Sequence, residues 1–206
     1  MGMDKDQISA EAMHLEIEAK KNPENFAKTW EKEEKDLQLS SADMKKIQQK
    51  IEVDQKNDTS GALPHIEFYD GGAVKSVDAT VHNNPSWQRS WDTQLRVHLE
   101  FDRSTHHWTV IDTVDDKTVK THETFDREGF PLQYDRTEAK TGSTERIVYD
   151  AKTHKEVLRT IHVPGTYDYR LEMDAKTGYK IKEEEDTADK HVVTKYKKGS
   201  KVQSTF

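Results

Sequence analysis

The residues best suited to chemistry recur in register. His98, His122, Arg146 and Arg170 follow one another at intervals of 24. Each stands three positions before an apolar residue joined to an aspartate: Phe101-Asp102, Phe125-Asp126, Tyr149-Asp150 and Met173-Asp174. With two strands per interval, the four cations would align on one sheet face about 9–10 Å apart. That is too far for His98 and His122 to share one metal ion, whose ligand bonds are about 2 Å. The column therefore reads either as a basic stripe for an anionic partner or as a ladder of cations paired with neighbouring carboxylates. The density of Glu and Asp favours the ladder.

Other candidates carry less. His106-His107 would point to opposite faces of a strand and lacks the companion spacing of a zinc site. The four aspartates lack the ligand order of a calcium-binding helix–loop–helix, and turns explain them, because an Asp side chain bonds a backbone N–H two residues on. No Gly-x-Ser-x-Gly elbow, phosphate-binding Gly-x-x-x-x-Gly-Lys loop or dinucleotide fingerprint is present. Abundant carboxylates do not by themselves make an acid–base pair. The sequence points to a non-enzymatic protein and assigns no catalytic residue, cofactor or metal.

The elements that would position these residues are mostly strands. Turn signals follow the apolar–Asp pairs, and others fall halfway between: Asp115-Asp116, Glu138 to Gly142, Pro164-Gly165 and Asp186 to Asp189. A turn about every twelve residues is the spacing of an antiparallel meander. Between turns, Val97, Leu99 and Phe101 alternate with His98 and Glu100, and Tyr169, Leu171 and Met173 alternate with Arg170 and Glu172. This period of two marks half-buried strands. The expected fold is mainly β: an up-and-down antiparallel meander of about ten strands with a 24-residue hairpin repeat, as an open sheet or a barrel. An N-terminal helical arm precedes it.

That arm occupies residues 1–56 and reads as three short helices. Ser9 is the expected cap of the first, whose narrow stripe is Ala12, Leu15 and Ala19, with Met13 and Ile17 beside it. Asn22-Pro23 opens the second, which carries Phe26, Ala27 and Trp30. Ser40-Ser41 opens the third, with Met44, Ile47 and Ile51 on one side. Such narrow stripes need another surface to pack on. Either the helices lie on the sheet, or they dock on a partner with Phe26 and Trp30 as anchors. Residues 57–64 read as a linker and residues 65–206 as the meander domain. Asp70-Gly71-Gly72 is a strong hairpin signal. Trp87 and Trp91, four apart on an irregular connection, are further interface candidates or a plug for a sheet end.

Composition bounds the function. Leu, Ile, Val and Phe make up only 38 of 206 residues, near the level at which a chain fails to fold alone. A thin core suggests completion by another chain. The net charge of −7 and a pI near 5.8 argue against generic nucleic-acid binding. With no Cys there is no disulfide or thiolate site. No apolar run suggests a membrane span or signal peptide, which points to a soluble protein of the cytoplasm or an organelle interior rather than a secreted one. The expectation is a structural or accessory subunit that joins other protein subunits through its helical arm and one sheet face. The alternative is a β-barrel holding a small apolar ligand, with Leu99, Phe101, Phe125, Ile147, Tyr149, Leu171 and Met173 facing it. A third reading is an inhibitor or immunity-type protein with an acidic face.

Overall fold

The structure is a computed structural model that describes residues 2–82, 94–115, 118–197 and 200–205, with backbone alone at His82, Gln94 and 200–205. Three α-helices, α1 (Lys5–Lys21), α2 (Phe26–Asp36) and α3 (Ser41–Asn57), precede twelve strands, with one 3₁₀ turn (Pro23–Asn25) before α2. The strands are β1 (His65–Phe68), β2 (Val74–His82), β3 (Gln94–Phe101), β4 (Trp108–Asp115), β5 (Val119–Phe125) and β6 (Pro131–Glu138). They continue with β7 (Ser143–Tyr149), β8 (Glu156–Val163), β9 (Tyr167–Met173), β10 (Lys180–Thr187), β11 (Lys190–Lys197) and β12 (Ser200–Thr205). They form one open antiparallel meander in sequence order, with β1 and β12 at its two ends. The meander runs to twelve strands against the ten expected.

The repeat sets the turns. β3, β5, β7 and β9 each end on the apolar residue that precedes the repeated aspartate. Asp102, Asp150 and Asp174 each accept two backbone N–H bonds, from residues two and three further on, at 2.7–3.1 Å. The loop after Asp126 is one residue shorter: Asp126 N–H donates to the Phe130 carbonyl, where the other three reach five residues on. Each loop needs one left-handed residue. Gly129 and Gly178 supply it in two, at φ 89° and 75°, and His106 and His154 in the others, both at φ 57°. Histidine carries a steric cost there that glycine does not.

The chain divides into two compact units, Met1–Thr113 and Val114–Phe206. The division falls within β4, whereas the sequence places its boundary at residues 57–64. The first unit binds the helices to the opening strands, and its core is ordinary. The stripes Ala12, Leu15 and Ala19 of α1, Phe26, Ala27 and Trp30 of α2, and Met44, Ile47 and Ile51 of α3 are all buried. On the sheet, Ile66, Val77 and Leu99 are register partners in one row and all are buried. Met13 and Ile17, flanking the α1 stripe, stay exposed. The cap of α1 is Asp4, whose side chain accepts from the backbone of Asp6 and Gln7 while Gln7 reaches back, and not Ser9. Ser9 lies a turn inside the helix and donates to the Lys5 carbonyl. The earlier cap wins because Asp4 and Gln7 complete a reciprocal capping box. Ser40 caps α3 as expected.

Among the described residues, strands are the regular elements of the second unit. Its two faces differ. One row across the sheet joins Tyr134, Ile147, Arg159, Leu171, Glu183 and Thr194, and Ile161, Tyr169 and Val192 lie two residues along on the same face. The opposite face carries Asp135, Arg146, Thr160, Arg170, Glu184 and the buried Val193 in one row, Gln133, Val148, Leu158 and Glu172 in a second, and His162, Asp168, Asp186 and His191 in a third. Leu171, Val192 and Val193 are the unit's buried apolar residues among those described.

Candidate functional site

The column of cations is a paired ladder. His98 Nδ1 lies 2.8 Å from Asp78 and its Nε2 lies 3.4 Å from Glu100. Burial pulls down the pKa of His98, but the Asp78 bond and charge outweigh that and raise it. Arg146 reaches Asp135 at 2.6 Å, Arg170 reaches Glu172 at 2.9 Å, and His122 is the register partner of Asp135. Every cation of the column has a carboxylate opposite or beside it, so the column is not a free basic stripe.

Phe26 and Trp30 are anchors, but for the chain itself. Phe26 is 0% and Trp30 4% exposed. Their rings lie 6.4 Å apart, and Trp30 stands 4.7 Å from Phe68 of β1. Both rings therefore anchor α2 on the first hairpin, whatever else Trp30 meets. Trp87 and Trp91, the other two interface candidates, lie outside the described residues. Of the residues proposed to face an apolar ligand, Leu99 and Phe101 are core residues of the first unit, at 0% and 1% exposed. Phe125, Ile147, Tyr149 and Met173 are half-buried and Leu171 is buried in the second unit. The seven therefore do not line one lumen: Leu99 and Phe101 are consumed by packing, and the open strand order encloses no barrel interior.

A concave site lies in the first unit, between α2, α3 and the β1–β2 turn. It is a cleft of about 790 Å³. Trp30, Phe68 and Tyr69 give it aromatic walls, and Glu34, Glu52 and Asp70 lie among its lining residues. Two contacts hold the hairpin in place. The Tyr69 hydroxyl donates to the Phe101 carbonyl at 2.8 Å, and the Arg103 guanidinium donates to the Asp70 carbonyl while lying over the Tyr69 ring. His106, in its left-handed conformation, brings Nε2 to 3.4 Å from Glu31 of α2. The Lys35 bond and the His106 charge together hold the Glu31 carboxyl below the usual range. Sequence reading misses this cleft because its walls come from three separate segments.

Two further groups escape sequence reading. Glu16 of α1 is only 5% exposed. Burial, reinforced by the charge of Asp54, pushes its carboxyl up to about 7, and its Oε1 has no hydrogen-bond partner. Across the Tyr-rich face, Glu183 accepts from the Tyr169 hydroxyl at 2.6 Å and the Tyr196 hydroxyl at 2.5 Å. Those bonds hold Glu183 down at about 2 and raise Tyr196 to about 12.

Among the described residues, one cluster could hold a metal ion. Glu11 and His14 of α1 and Glu33 of α2 bring their ligand atoms within 4.8 Å of one another. No helix among the described residues is long and apolar enough to cross a membrane. The chain matches no protein-family model and no curated protein.

Proposed function

We propose that the protein is a non-enzymatic structural or accessory subunit that joins a larger protein assembly through its helical region and one face of its sheet. The observation that carries this reading is the second unit. Among its described residues it has no helix, so none of these layers over the half-buried face of Tyr134, Ile147, Ile161 and Tyr169. Such apolar area gains stability when a partner excludes water from it, at roughly 25 cal/mol per Å². The opposite face has apolar residues of its own, Val148, Leu158 and Val193, but they alternate with paired charges such as Arg146 with Asp135 and Arg170 with Glu172. On the helical side the contact surfaces are the cleft walled by Trp30, Phe68 and Tyr69, and the exposed Met13 and Ile17 of α1. The open strand order favours this reading over the ligand barrel, which needs a closed lumen.

The test places a photo-crosslinking residue at Tyr169, on the apolar face, or at Asp168, on the charged face, in cells that make the protein. The expected result is one reproducible partner protein captured from position 169 and not from position 168. Equal capture from both faces, or none from position 169, overturns the reading.

A further inference from the structure

We infer that Glu11, His14 and Glu33 form a binding site for one divalent first-row transition ion that clamps α1 to α2. The geometry carries the argument. Glu11 and His14 are three apart on one helix, which puts both side chains on the same stripe. Glu33 enters from the neighbouring helix. All three ligand atoms lie within 4.8 Å of one another, and His14 Nε2 stands 3.7 Å from Glu33 Oε1. Ligands bound to one ion at about 2.0–2.2 Å lie about 3–4 Å apart, so small rotations close the set.

The unbound arrangement is electrostatically incomplete. Glu11 Oε1 is shielded from water and has no hydrogen-bond partner. Burial, and then the Glu33 carboxylate, raise the Glu11 pKa, and His14 offsets only part of this. A dication would supply Glu11 with a partner and remove its conflict with Glu33 at once.

Donor chemistry fixes the class of ion. Two carboxylates and one imidazole suit Zn²⁺, Co²⁺, Mn²⁺ or Fe²⁺. Calcium takes six to eight oxygen ligands. The His14 side chain is 50% exposed, which leaves an entry path and room for water at the remaining positions.

The experiment uses the full chain, stripped with chelator, and titrates it with Zn²⁺ by calorimetry and with Co²⁺ by visible absorption. The chain has ten histidines, so a control is essential. His65 is exposed and lies on β1 beside Glu67, outside the helices, and His65→Ala serves. Native protein and His65→Ala should bind one ion with equal affinity, with a Tm that rises on binding. His14→Ala and Glu33→Gln should each weaken that affinity at least tenfold and abolish the Tm shift. Circular dichroism confirms that the variants fold, and His14→Gln replaces His14→Ala if it does not. Affinity unchanged in His14→Ala or in Glu33→Gln, or no binding by native protein, overturns the inference.

Discussion

At the scale of single residues, Glu16 is where the fold works against itself. Its carboxyl is nearly inaccessible, faces Asp54, and is pushed up to about 7 from an ordinary 4.5. A folded-state value above the unfolded one means that the folded chain holds a proton the unfolded chain has released. Between about pH 4.5 and 7 the stability therefore falls as pH rises, and above 7 the loss is complete. The shift corresponds to at most about 3 kcal/mol. Glu16→Gln keeps the shape and removes the charge. It should stabilise the protein by about 2 kcal/mol at pH 8 and leave it little changed at pH 4.5, read by urea unfolding at both values. Equal stabilisation at both would mean that charge burial is not the cause. Nothing in the sequence singles out Glu16 among 39 acidic residues. It lies one position from the apolar Leu15 on the α1 stripe, and only the approach of α3 makes that position dry. The Glu11–His14–Glu33 cluster is hidden for a similar reason: the i, i+3 pair is visible, but Glu33 lies nineteen residues beyond His14.

At the scale of elements, local signals were legible and docking was not. The strands could be read because turns are written in adjacent residues: Asp102, Asp150 and Asp174 close their loops with their own next residues. The helix stripes could be read for the same reason. Where the stripes go depends on surfaces far away in sequence, so sequence reading leaves Phe26 and Trp30 open between sheet and partner. The structure puts them on the first hairpin through Phe68. If that packing holds the helices down, Trp30→Ala opens a cavity in the core of the first unit. It should cost about 3–5 kcal/mol of its stability, measured by chemical denaturation followed by far-UV circular dichroism. A loss below 1 kcal/mol would return Trp30 to the role of surface anchor.

At the scale of the whole molecule, the low apolar content is unevenly spent. The first unit takes nearly all the fully buried side chains, among them Leu15, Phe26, Ile47, Ile51, Ile66, Val77, Leu99 and Phe101. The second relies on cross-strand pairs, a Tyr–Glu–Tyr network and side-chain stems lying over the sheet. Local opening free energies follow the apolar area lost on opening. Hydrogen exchange in the isolated full chain should therefore find β2 and β3 strongly protected. The amides of β7 to β10 should exchange at least about 100-fold faster, a difference of roughly 3 kcal/mol in opening free energy. Uniform protection would mean that cross-strand pairing suffices, and the apolar face would need no partner. With the predicted gradient, a partner that covers Tyr134, Ile147 and Tyr169 should slow exchange across β6 to β9. It should leave β2 and β3 unchanged, because their core is already complete.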